Sequence, residues 1–331
     1  MNYQFKPAWW MTNRHVQTIV PRLYRLWQRT PVTLEELTTP DGDFVELAWA
    51  QPSAPTAPLA VVLHGLEGNI DSFYARGMLR ALQQQGFDAV LMHFRNCSSK
   101  PNLLPRAYHS GETEDLHFLL TTLRARFPNR RLYAVGFSLG GNVLSKYLGE
   151  QQEQCVLSGA AVVSAPLHLS SSCQVIRKSC FKLYQKYLLD RLKKSMSRKL
   201  PLVQQQLQLN QAELNAINDL WEFDNRVTAP LHGFNGAEDY YDKASGQAFL
   251  RHIAIPTLLI HAEDDPMLSA QAIPRAEQVS DSVTLAVSAQ GGHVGFLAGA
   301  NPLRPQFWLE WAVPHYFREL QQQYVNSVSA A

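Results

Sequence analysis

Short apolar runs recur along the chain, separated by longer stretches in which apolar residues follow a helical spacing. The runs rich in Val, Leu, Ile and Ala are Leu59–Leu63, Ala89–Phe94, Leu132–Val135, Ala160–Val163, Thr257–Ile260 and Val283–Val287. The helical stretches between them are Ser72–Gln85, Glu112–Phe127, Asn142–Gln151 and Ala270–Val279. Strands that alternate with helices predict an α/β fold, with a mostly parallel central sheet covered by helices on both faces.

Ahead of these runs the pattern is different, because apolar and polar residues alternate from Val32 to Ala50. The sequence Pro40-Asp41-Gly42-Asp43 interrupts the alternation. Two alternating segments around such a turn predict an antiparallel hairpin, Val32–Thr39 with Phe44–Ala50.

One interval lacks any strand-like run. From Pro166 to Pro230 the sequence is polar, basic and helix-like. An insertion at this point would lie over the carboxyl ends of the strands, where open α/β sheets bind ligands. We therefore expect a helical lid at approximately 167–230, inserted into a single domain that spans 1–331.

Composition limits the classes of function. The chain has 331 residues, 46% hydrophobic and 18% charged, and a formal net charge of +2. This balance is ordinary for a globular protein and gives no general attraction to nucleic acid or to membranes. The sequence therefore predicts no nucleic-acid partner and shows no obligate protein partner.

Cysteines and apolar segments bear on the compartment. The four cysteines, at positions 97, 155, 173 and 180, form no C-x-x-C pair and no zinc-like spacing with histidine. Residues 1–12 lack the apolar core of a signal peptide, and no window is apolar enough for a membrane span. Free thiols and a cytoplasmic location are the resulting expectations.

The most informative segment is Gly136-Phe-Ser-Leu-Gly140, which follows a predicted strand and precedes a predicted helix. In this context G-x-S-x-G forms a tight, strained turn that exposes the serine hydroxyl. The glycines let the strand and the helix approach each other closely. Ser138 is therefore the candidate nucleophile of a serine hydrolase.

A serine hydroxyl needs a base, and the base needs an orienting carboxylate. Hydrolases built on this turn place the acid and then the histidine downstream of the serine. The run Thr257–Ile260 leads into Glu263-Asp264-Asp265-Pro266. We select Asp265 over Asp264, because the following proline favours an extended backbone at Asp265.

The candidate base is His293, which lies in the glycine-rich loop Gly291-Gly292-His293-Val294-Gly295. This loop follows the last predicted strand. His252 and His261 precede the acid, and His315 lies in a predicted C-terminal helix. His293 is thus the histidine that satisfies both the chain order and the strand-end position.

An oxyanion intermediate requires backbone N–H donors that are already in place. One donor is expected from the residue after the nucleophile, Leu139. The other is expected from the loop after Leu59–Leu63, which begins His64-Gly65-Leu66. We assign it to Leu66. The glycines fit neither a phosphate-binding loop nor a dinucleotide motif, so no cofactor and no metal are predicted.

Taken together, these residues resemble the YheT-like branch of the α/β-hydrolase superfamily, which has lipase-like eukaryotic relatives. The resemblance covers nearly the whole chain. It rests on five segments: 13–18 (Asn-Arg-His-Val-Gln-Thr), 64–68 (His-Gly-Leu-Glu-Gly), 108–115 (Tyr-His-Ser-Gly-Glu-Thr-Glu-Asp), the turn at Ser138, and 291–296 (Gly-Gly-His-Val-Gly-Phe).

The resemblance implies carboxylic-ester hydrolysis on acyl substrates and assigns the catalytic triad to Ser138, Asp265 and His293. It also implies lipid-like esters, as in acylglycerol lipases. The chain departs from the family pattern at Asn96 and Ser99, where glycines are expected. The membrane span of the eukaryotic relatives has no counterpart in this sequence.

Two further segments have alternative interpretations. Residues 177–199 carry nine Lys or Arg and one acid, with apolar residues at helical spacing. They form either a lid helix with its apolar face on the core, which we favour, or a weak peripheral membrane contact. Trp9, Trp10 and His15 are interpreted as packing residues. Tyr108–Gly111 is interpreted as a cap of the helix near Glu112, without a chemical role.

The sequence therefore predicts a serine esterase that acts through an acyl-enzyme on small-molecule or lipid-like esters of short to medium acyl length. The alternatives are an acyltransferase with the same triad, a lipid- or membrane-binding protein with a vestigial site, and a cofactor-free haloperoxidase-like activity on the same fold.

Overall fold

In the computed structural model, the protein is described for residues 3–52, 54–178 and 182–329. Cys180 lies outside these residues, so the expectation for its thiol is untested. The three described cysteines, Cys97, Cys155 and Cys173, are free thiols.

The core of the fold is an eight-stranded sheet in the order β1-β2-β4-β3-β5-β6-β7-β8. The strands are β1 (Val32–Thr38), β2 (Phe44–Ala50), β3 (Leu59–Leu63), β4 (Asp88–Met92), β5 (Leu132–Phe137), β6 (Gly159–Val163), β7 (Thr257–Ala262) and β8 (Val283–Ser288). The hairpin β1–β2 is antiparallel, and β2 pairs antiparallel with β4. The pairs from β4 through β8 are all parallel. The predicted mostly parallel sheet is thus confirmed.

Eleven α-helices are assigned in the described part of the chain. They are α1 (Arg14–Tyr24), α2 (Phe73–Gln84), α3 (Glu114–Arg126), α4 (Leu139–Gln151), α5 (Leu169–Lys178), α6 (Leu183–Leu207), α7 (Gln211–Ala216), α8 (Leu220–Phe223), α9 (Ala229–Leu231), α10 (Ala237–Ala244) and α11 (Trp308–Ser329).

Both faces of the sheet are buried from β2 through β7, as the apolar runs predicted, whereas the edge strands β1 and β8 are partly exposed. In β3, Leu59, Val61 and Leu63 belong to one core, and Ala60 and Val62 belong to the other. This division follows from the pleat, which points successive side chains to opposite faces. Leucines of α3 and α4 cover the first face, and α2 and α11 cover the second.

The predicted helix Ala270–Val279 is wrong. The segment contains two short 3-10 turns, Ala270–Ala272 and Ala276–Gln278, instead of an α-helix. Pro274 lies between the two turns and has no backbone N–H to continue a helical hydrogen-bond series.

Six helices, α5 to α10, lie between β6 and β7. They bury a core of their own, which includes Leu188, Met196, Val203, Phe223 and Tyr241. The helical region begins where the sequence predicted an insertion and continues past residue 230, through α10 and a 3-10 helix that ends at His252.

A small antiparallel ladder, β9 (Leu297–Ala298) with β10 (Gln306–Phe307), follows the main sheet. The N-terminal segment packs here, because Ala8 and Met11 share a core with Leu297. Trp9 and Trp10 donate their indole N–H groups to the carbonyls of Ala300 and Gly299. Within residues 3–52, 54–178 and 182–329, no helix is both long enough and apolar enough to cross a membrane.

Candidate active site

Ser138 lies at the sharp turn between β5 and α4. Its backbone has φ 51° and ψ −119°, a strained conformation for a residue with a side chain. The turn is tight because a Cβ on Gly136 would lie 2.3 Å from the carbonyl oxygen of Gly140. A Cβ on Gly140 would lie 2.5 Å from the carbonyl oxygen of His64. Glycine at both positions therefore permits the turn that exposes the Ser138 hydroxyl.

The structure brings Ser138, His293 and Asp265 together. Nε2 of His293 lies 3.0 Å from Oγ of Ser138. Nδ1 of the same ring lies 2.8 Å from Oδ2 of Asp265. The three side chains come from loops that follow β5, β7 and β8, which meet at one edge of the parallel sheet. The geometry is that of a nucleophile, a base and an orienting acid.

The two adjacent aspartates have different partners. Asp265 is buried, and its second oxygen accepts the amide N–H of Met267 at 2.8 Å. Asp264 accepts the amide N–H of Gly292 at 2.9 Å and does not reach the imidazole. Burial raises the pKa of Asp264. Asp264 therefore holds the backbone of the histidine loop, and Asp265 holds the ring.

The histidine loop is also held by α1, a contact that the sequence analysis missed. The amide N–H of His293 donates to Oγ1 of Thr18 at 2.9 Å, and that hydroxyl donates to the carbonyl of Arg14. Backbones of the two segments touch, because a Cβ on Gly295 would lie 1.9 Å from the carbonyl oxygen of Gln17. The available signal was the family segment 13–18, for which no position in the fold was assigned.

Gln17 fixes this contact from within. Its side chain is fully buried, accepts the amide N–H of Leu297 and donates to the carbonyls of Leu297 and Met11. Asn13 caps α1 by accepting the amide N–H groups of His15 and Val16. The segment Asn13–Thr18 therefore joins the helix start, the β9 strand and the histidine loop in one hydrogen-bonded unit.

The loop 65–70 after β3 leaves one amide unused. The amide of Gly65 donates to the Tyr74 hydroxyl, and that of Glu67 donates to the Tyr108 hydroxyl. The other three amides also have acceptors: that of Gly68 donates to the Gly65 carbonyl, that of Asn69 to Ser72 Oγ, and that of Ile70 to His93 Nε2. Among the described residues, the Leu66 amide has no recorded acceptor. Because a Cβ on Gly65 would lie 3.1 Å from Cβ of Ser138, this free amide lies beside the nucleophile.

Two buried histidines hold the same loop. His64 receives the amide N–H of Phe94 at Nε2, so its Nδ1 carries the proton and donates to the carbonyl of Gly65. Burial lowers the pKa of His64 to about 3. Burial also lowers the pKa of His93. Both rings are therefore neutral structural groups at ordinary pH.

The Leu139 amide is the first N–H of α4. No acceptor for it is recorded among the described residues, whereas the amides of Gly141 and Asn142 donate to the carbonyl of Ser138. A helix N-terminus favours negative charge, because its first N–H groups are unpaired and its dipole is positive there. The amides of Leu66 and Leu139 thus supply two free donors near Ser138.

A cavity of about 730 Å³ opens onto these groups. Ser138, Leu139, Leu66 and His293 line its floor. Apolar side chains from the helices between β6 and β7 line much of the rest, namely Leu169, Ile176, Leu188, Leu192, Met196, Leu220, Phe223, Val227 and Leu231. The volume lies in the range of ordinary small-molecule sites.

Glu67 links the loop 65–70 to α6. Its carboxylate accepts the Tyr108 hydroxyl at 3.1 Å, and its carbonyl accepts Nη1 of Arg191 at 2.8 Å. Burial raises the pKa of Glu67 to about 7. The expectation that Tyr108 only caps a helix is therefore incomplete, since its hydroxyl holds both the amide and the carboxylate of Glu67.

One group of potential metal ligands lies beside the cavity. The ligand atoms of His109, Glu112 and His232 lie within 4.8 Å of one another. Glu112 already forms an ion pair with Arg106 at 2.7 Å. The pKa of both histidines is lowered mainly by burial and also by the positive charge of Arg106. His109 accepts the Gly111 amide at Nδ1, so Nε2 carries its proton. These features oppose cation binding, and we assign no metal role to the group.

Comparison with known proteins gives the family. Residues 58–300 match the family described as "alpha/beta hydrolase fold". The chain is 42% identical over 315 residues to "Putative esterase YheT" of Escherichia coli (strain K12), covering 95% of this chain and 92% of that protein. It is 30% identical to "Monoacylglycerol lipase" of Saccharomyces cerevisiae, over 72% of this chain and 55% of the yeast protein.

More distant matches agree. "Phospholipase ABHD3" of Mus musculus is 28% identical, over 90% of this chain and 74% of the mouse protein. The crystallised Pyrococcus furiosus esterase Pf2001 has the same fold, with a TM-score of 0.55, 16% identity and coverage of 88% of this chain and 93% of that one. The Pyrococcus structure shows the fold, and the relatives from Escherichia coli, yeast and mouse confirm the predicted enzyme class, an esterase- or lipase-like hydrolase. The chain belongs to the α/β-hydrolase fold family, within which it is similar to the YheT-like esterases.

Proposed function

We propose that the protein hydrolyses carboxylic esters through an acyl-enzyme on Ser138. The observation that carries this proposal is the unbroken series of hydrogen bonds from Ser138 Oγ to His293 to Asp265, at 3.0 Å and 2.8 Å. The series ends at the floor of an apolar cavity, so a bound ester carbonyl would lie against the nucleophile.

In the first step, Ser138 Oγ attacks the ester carbonyl while Nε2 of His293 accepts the hydroxyl proton. Asp265 accepts a hydrogen bond from the Nδ1–H group of His293, which keeps the proton on Nδ1 and leaves Nε2 free to act as the base. Collapse of the tetrahedral intermediate expels the alcohol, which takes its proton from His293. Water then attacks the acyl-enzyme by the same route and releases the carboxylic acid.

The negative oxygen of each tetrahedral intermediate needs donors that do not have to reorient. The amides of Leu66 and Leu139 are free in the described structure and lie beside Ser138. Loss of one such donor generally lowers kcat by about 10²–10³. In this proposal three further side chains act indirectly, because they hold the loop that presents the Leu66 amide: His64, Tyr74 and Tyr108.

The cavity supports an acyl substrate with an extended apolar part. Its volume of about 730 Å³ and its apolar lining from the helices between β6 and β7 suit a short to medium acyl chain. We propose that these helices act as a lid on a single α/β-hydrolase domain. Relatives named monoacylglycerol lipase and phospholipase support lipid-like esters as the substrate class.

The test is labelling by a fluorophosphonate probe, followed by kinetics on p-nitrophenyl esters of increasing chain length. Ser138→Ala is expected to abolish labelling and to lower kcat by about 10⁶ without loss of thermal stability. Ser172→Ala is the matched control, since Ser172 also lines the cavity but donates to the carbonyl of His168. It should label normally.

Full esterase activity in the Ser138→Ala protein would reject the proposal. New esters formed when acceptor alcohols are added would favour the acyltransferase alternative. A protein that neither labels nor turns over any ester would favour the vestigial site. The cytoplasmic location stays a prediction.

A further inference from the structure

A row of apolar side chains on α1 faces solvent. It consists of Val16, Ile19, Leu23, Leu26 and Trp27, which we call the α1 surface. Their spacing places them on one side of the helix and of the turn that continues it. Trp27 is 90% exposed and Leu23 is 55% exposed. Single exposed apolar residues are ordinary, but a contiguous row marks an interaction surface.

The α1 surface continues onto α6. Leu183 and Tyr187 of α6 are also exposed, and the Tyr187 hydroxyl accepts Nη1 of Arg22 on α1 at 3.2 Å. One turn away, the Tyr184 hydroxyl lies 2.9 Å from Nδ1 of His15. The two helices therefore present their apolar side chains side by side.

This combined surface surrounds the entrance of the cavity. Most residues that line the cavity are buried or half-buried. The exposed ones mark where the cavity meets solvent, and they are Ile19, Arg22, Asp71, Leu183 and Tyr187. Four of these five lie on α1 or α6. A ligand that enters the cavity thus passes directly across the apolar surface.

The charges around the surface are mainly positive. Residues 1–34 contain no acid, since the first acidic residue of the chain is Glu35. The exposed basic residues of α1 with the turn after it, and of the start of α6, are Arg14, Arg22, Arg29, Lys182 and Lys186. The nearby acids are Asp71, beside Arg76, and Asp190, which pairs with Lys186. Arg25 is turned inward and pairs with Glu310.

We propose that the α1 surface docks the protein on an anionic lipid bilayer, with the cavity entrance facing the membrane. Exposed apolar side chains flanked by basic residues match the acyl boundary and the anionic headgroups of such a bilayer. Continuity with the cavity gives the docking a purpose, because an acyl ester could leave the bilayer without crossing water. This inference rests on the proposed esterase function and adds the surface from which its substrate is taken.

The sequence analysis favoured a lid helix for residues 177–199 and kept a weak membrane contact as the alternative. The structure favours a different element. Many apolar residues of α6, such as Leu188 and Met196, are buried in the core of the inserted helices, and Arg191 and Arg198 donate to loop carbonyls. From α6, Leu183 and Tyr187 contribute exposed apolar side chains to the surface, and α1 provides the larger share.

Docking is tested without turnover, using the Ser138→Ala protein and sedimentation with lipid vesicles. The vesicles are phosphatidylcholine alone or phosphatidylcholine with phosphatidylglycerol. We expect binding to the mixed vesicles that exceeds binding to the neutral ones and that weakens as salt is raised.

The diagnostic variant is Leu23→Glu with Trp27→Glu, because neither residue lines the cavity. It should lower vesicle partitioning about tenfold or more, because it removes two apolar side chains from the bilayer boundary and adds two negative charges beside anionic headgroups. The matched control is Leu34→Glu with Leu103→Glu, at residues that are 51% and 65% exposed and belong to neither α1 nor α6. This control adds the same charge and should bind like the parent.

In the protein that retains Ser138, the variant Leu23→Glu with Trp27→Glu should hydrolyse a soluble short-chain ester at the parental rate. It should hydrolyse a vesicle-embedded ester more slowly than the parent. Equal vesicle binding by the parent and the α1 variant would overturn the proposal, as would no preference for anionic vesicles. A concentration-dependent dimer that the α1 variant abolishes, without vesicle binding, would instead assign the surface to a second copy of the chain. Failure of the esterase function would appear separately, as loss of soluble-ester hydrolysis.

Discussion

At the scale of single residues, the candidate site depends on small differences between adjacent groups. Asp264 and Asp265 are neighbours in the chain, but one bonds a backbone amide and the other bonds the imidazole. Leu66 and Glu67 are also neighbours, but among the described residues the Glu67 amide has an acceptor and the Leu66 amide has none. In both cases the hydrogen-bond partner, and not the residue type, decides the role.

This difference gives a direct prediction for the two aspartates. Asp265→Asn should lower kcat by about 10⁴, because an amide N–H at this position forces the wrong tautomer on His293. Asp264→Asn keeps an oxygen that can accept the Gly292 amide, so kcat should change by less than about tenfold. Steady-state kinetics on one soluble ester compare the two proteins. A larger loss in Asp264→Asn would exchange the two assignments.

Glu67 predicts a pH-dependent stability. Burial raises its pKa to about 7, from 4.5, against the lowering effects of Tyr108, Arg191, Arg198 and Ser195. Between these two values the unfolded chain loses the proton that the folded protein keeps. The contribution of Glu67 to stability is therefore fully present below about pH 4.5 and is lost as the pH rises to about 7.

The free energy of unfolding of Glu67→Gln, relative to that of the parent, should accordingly increase as the pH rises from about 4.5 to about 7 and stay constant above this range. Urea unfolding at pH 5, 6 and 8 measures the effect. Glu36→Gln, at an exposed position on β1, is the control and should differ from the parent equally at each pH. A Glu67→Gln difference that does not vary with pH would contradict the prediction.

At the scale of elements, the contact between α1 and the histidine loop is the main finding. Two chain segments separated by more than 270 residues meet with backbone against backbone at Gln17 and Gly295. The helices between β6 and β7 also bind the loops of the site through hydrogen bonds. Arg191 donates to the Glu67 carbonyl, and Arg198 donates to the Asn96 carbonyl. Elements outside the sheet thus position the groups at the sheet edge.

Thr18 tests whether α1 positions His293. Thr18→Ala removes the acceptor of the His293 amide and should lower kcat about tenfold, with little change in KM for a small soluble ester. Thr18→Ser keeps the hydroxyl and should restore kcat. A purely structural role would instead lower the melting temperature without this division between kcat and KM, or would leave the serine variant as impaired as the alanine variant.

At the scale of the whole molecule, the sheet and the inserted helices form different parts of the candidate site. The parallel strands bring three loops to one edge, and the inserted helices enclose the space above them. In the proposed function, the loops after β5, β7 and β8 carry the chemistry, and α5 to α10 shape the acyl site.

Met196 of α6 tests this division, because it is buried and lines the cavity. Met196→Trp should reduce the cavity volume and shift the preferred p-nitrophenyl ester toward shorter acyl chains, while fluorophosphonate labelling of Ser138 continues. An overpacked core generally loses about 1–3 kcal/mol of stability, so the melting temperature is measured alongside. An unchanged chain-length profile in a folded variant would place the acyl site elsewhere.

The sequence by itself determined the sheet and the position of the candidate nucleophile. Apolar runs such as Leu59–Leu63 can be recognised because a strand buried on both faces has no polar side to interrupt it. The turn at Ser138 can be recognised because close backbone contact at Gly136 and Gly140 excludes larger residues. Chain order and strand ends then pointed to Asp265 and His293, because these constraints act locally.

Only the tertiary structure decided the interactions between segments that are distant in the chain. Nothing local in Asn13–Thr18 indicates that Thr18 accepts the His293 amide, because that contact depends on where α1 packs. The same holds for the free Leu66 amide, whose significance appears only when each neighbouring amide has found its acceptor. The failed helix at 270–279 shows the converse, since a local apolar spacing did not outweigh Pro274. Local geometry restricts the residue types that a position can hold, so it can be recognised in the sequence. Long-range packing depends on where distant segments meet, so it can be recognised only in the tertiary structure.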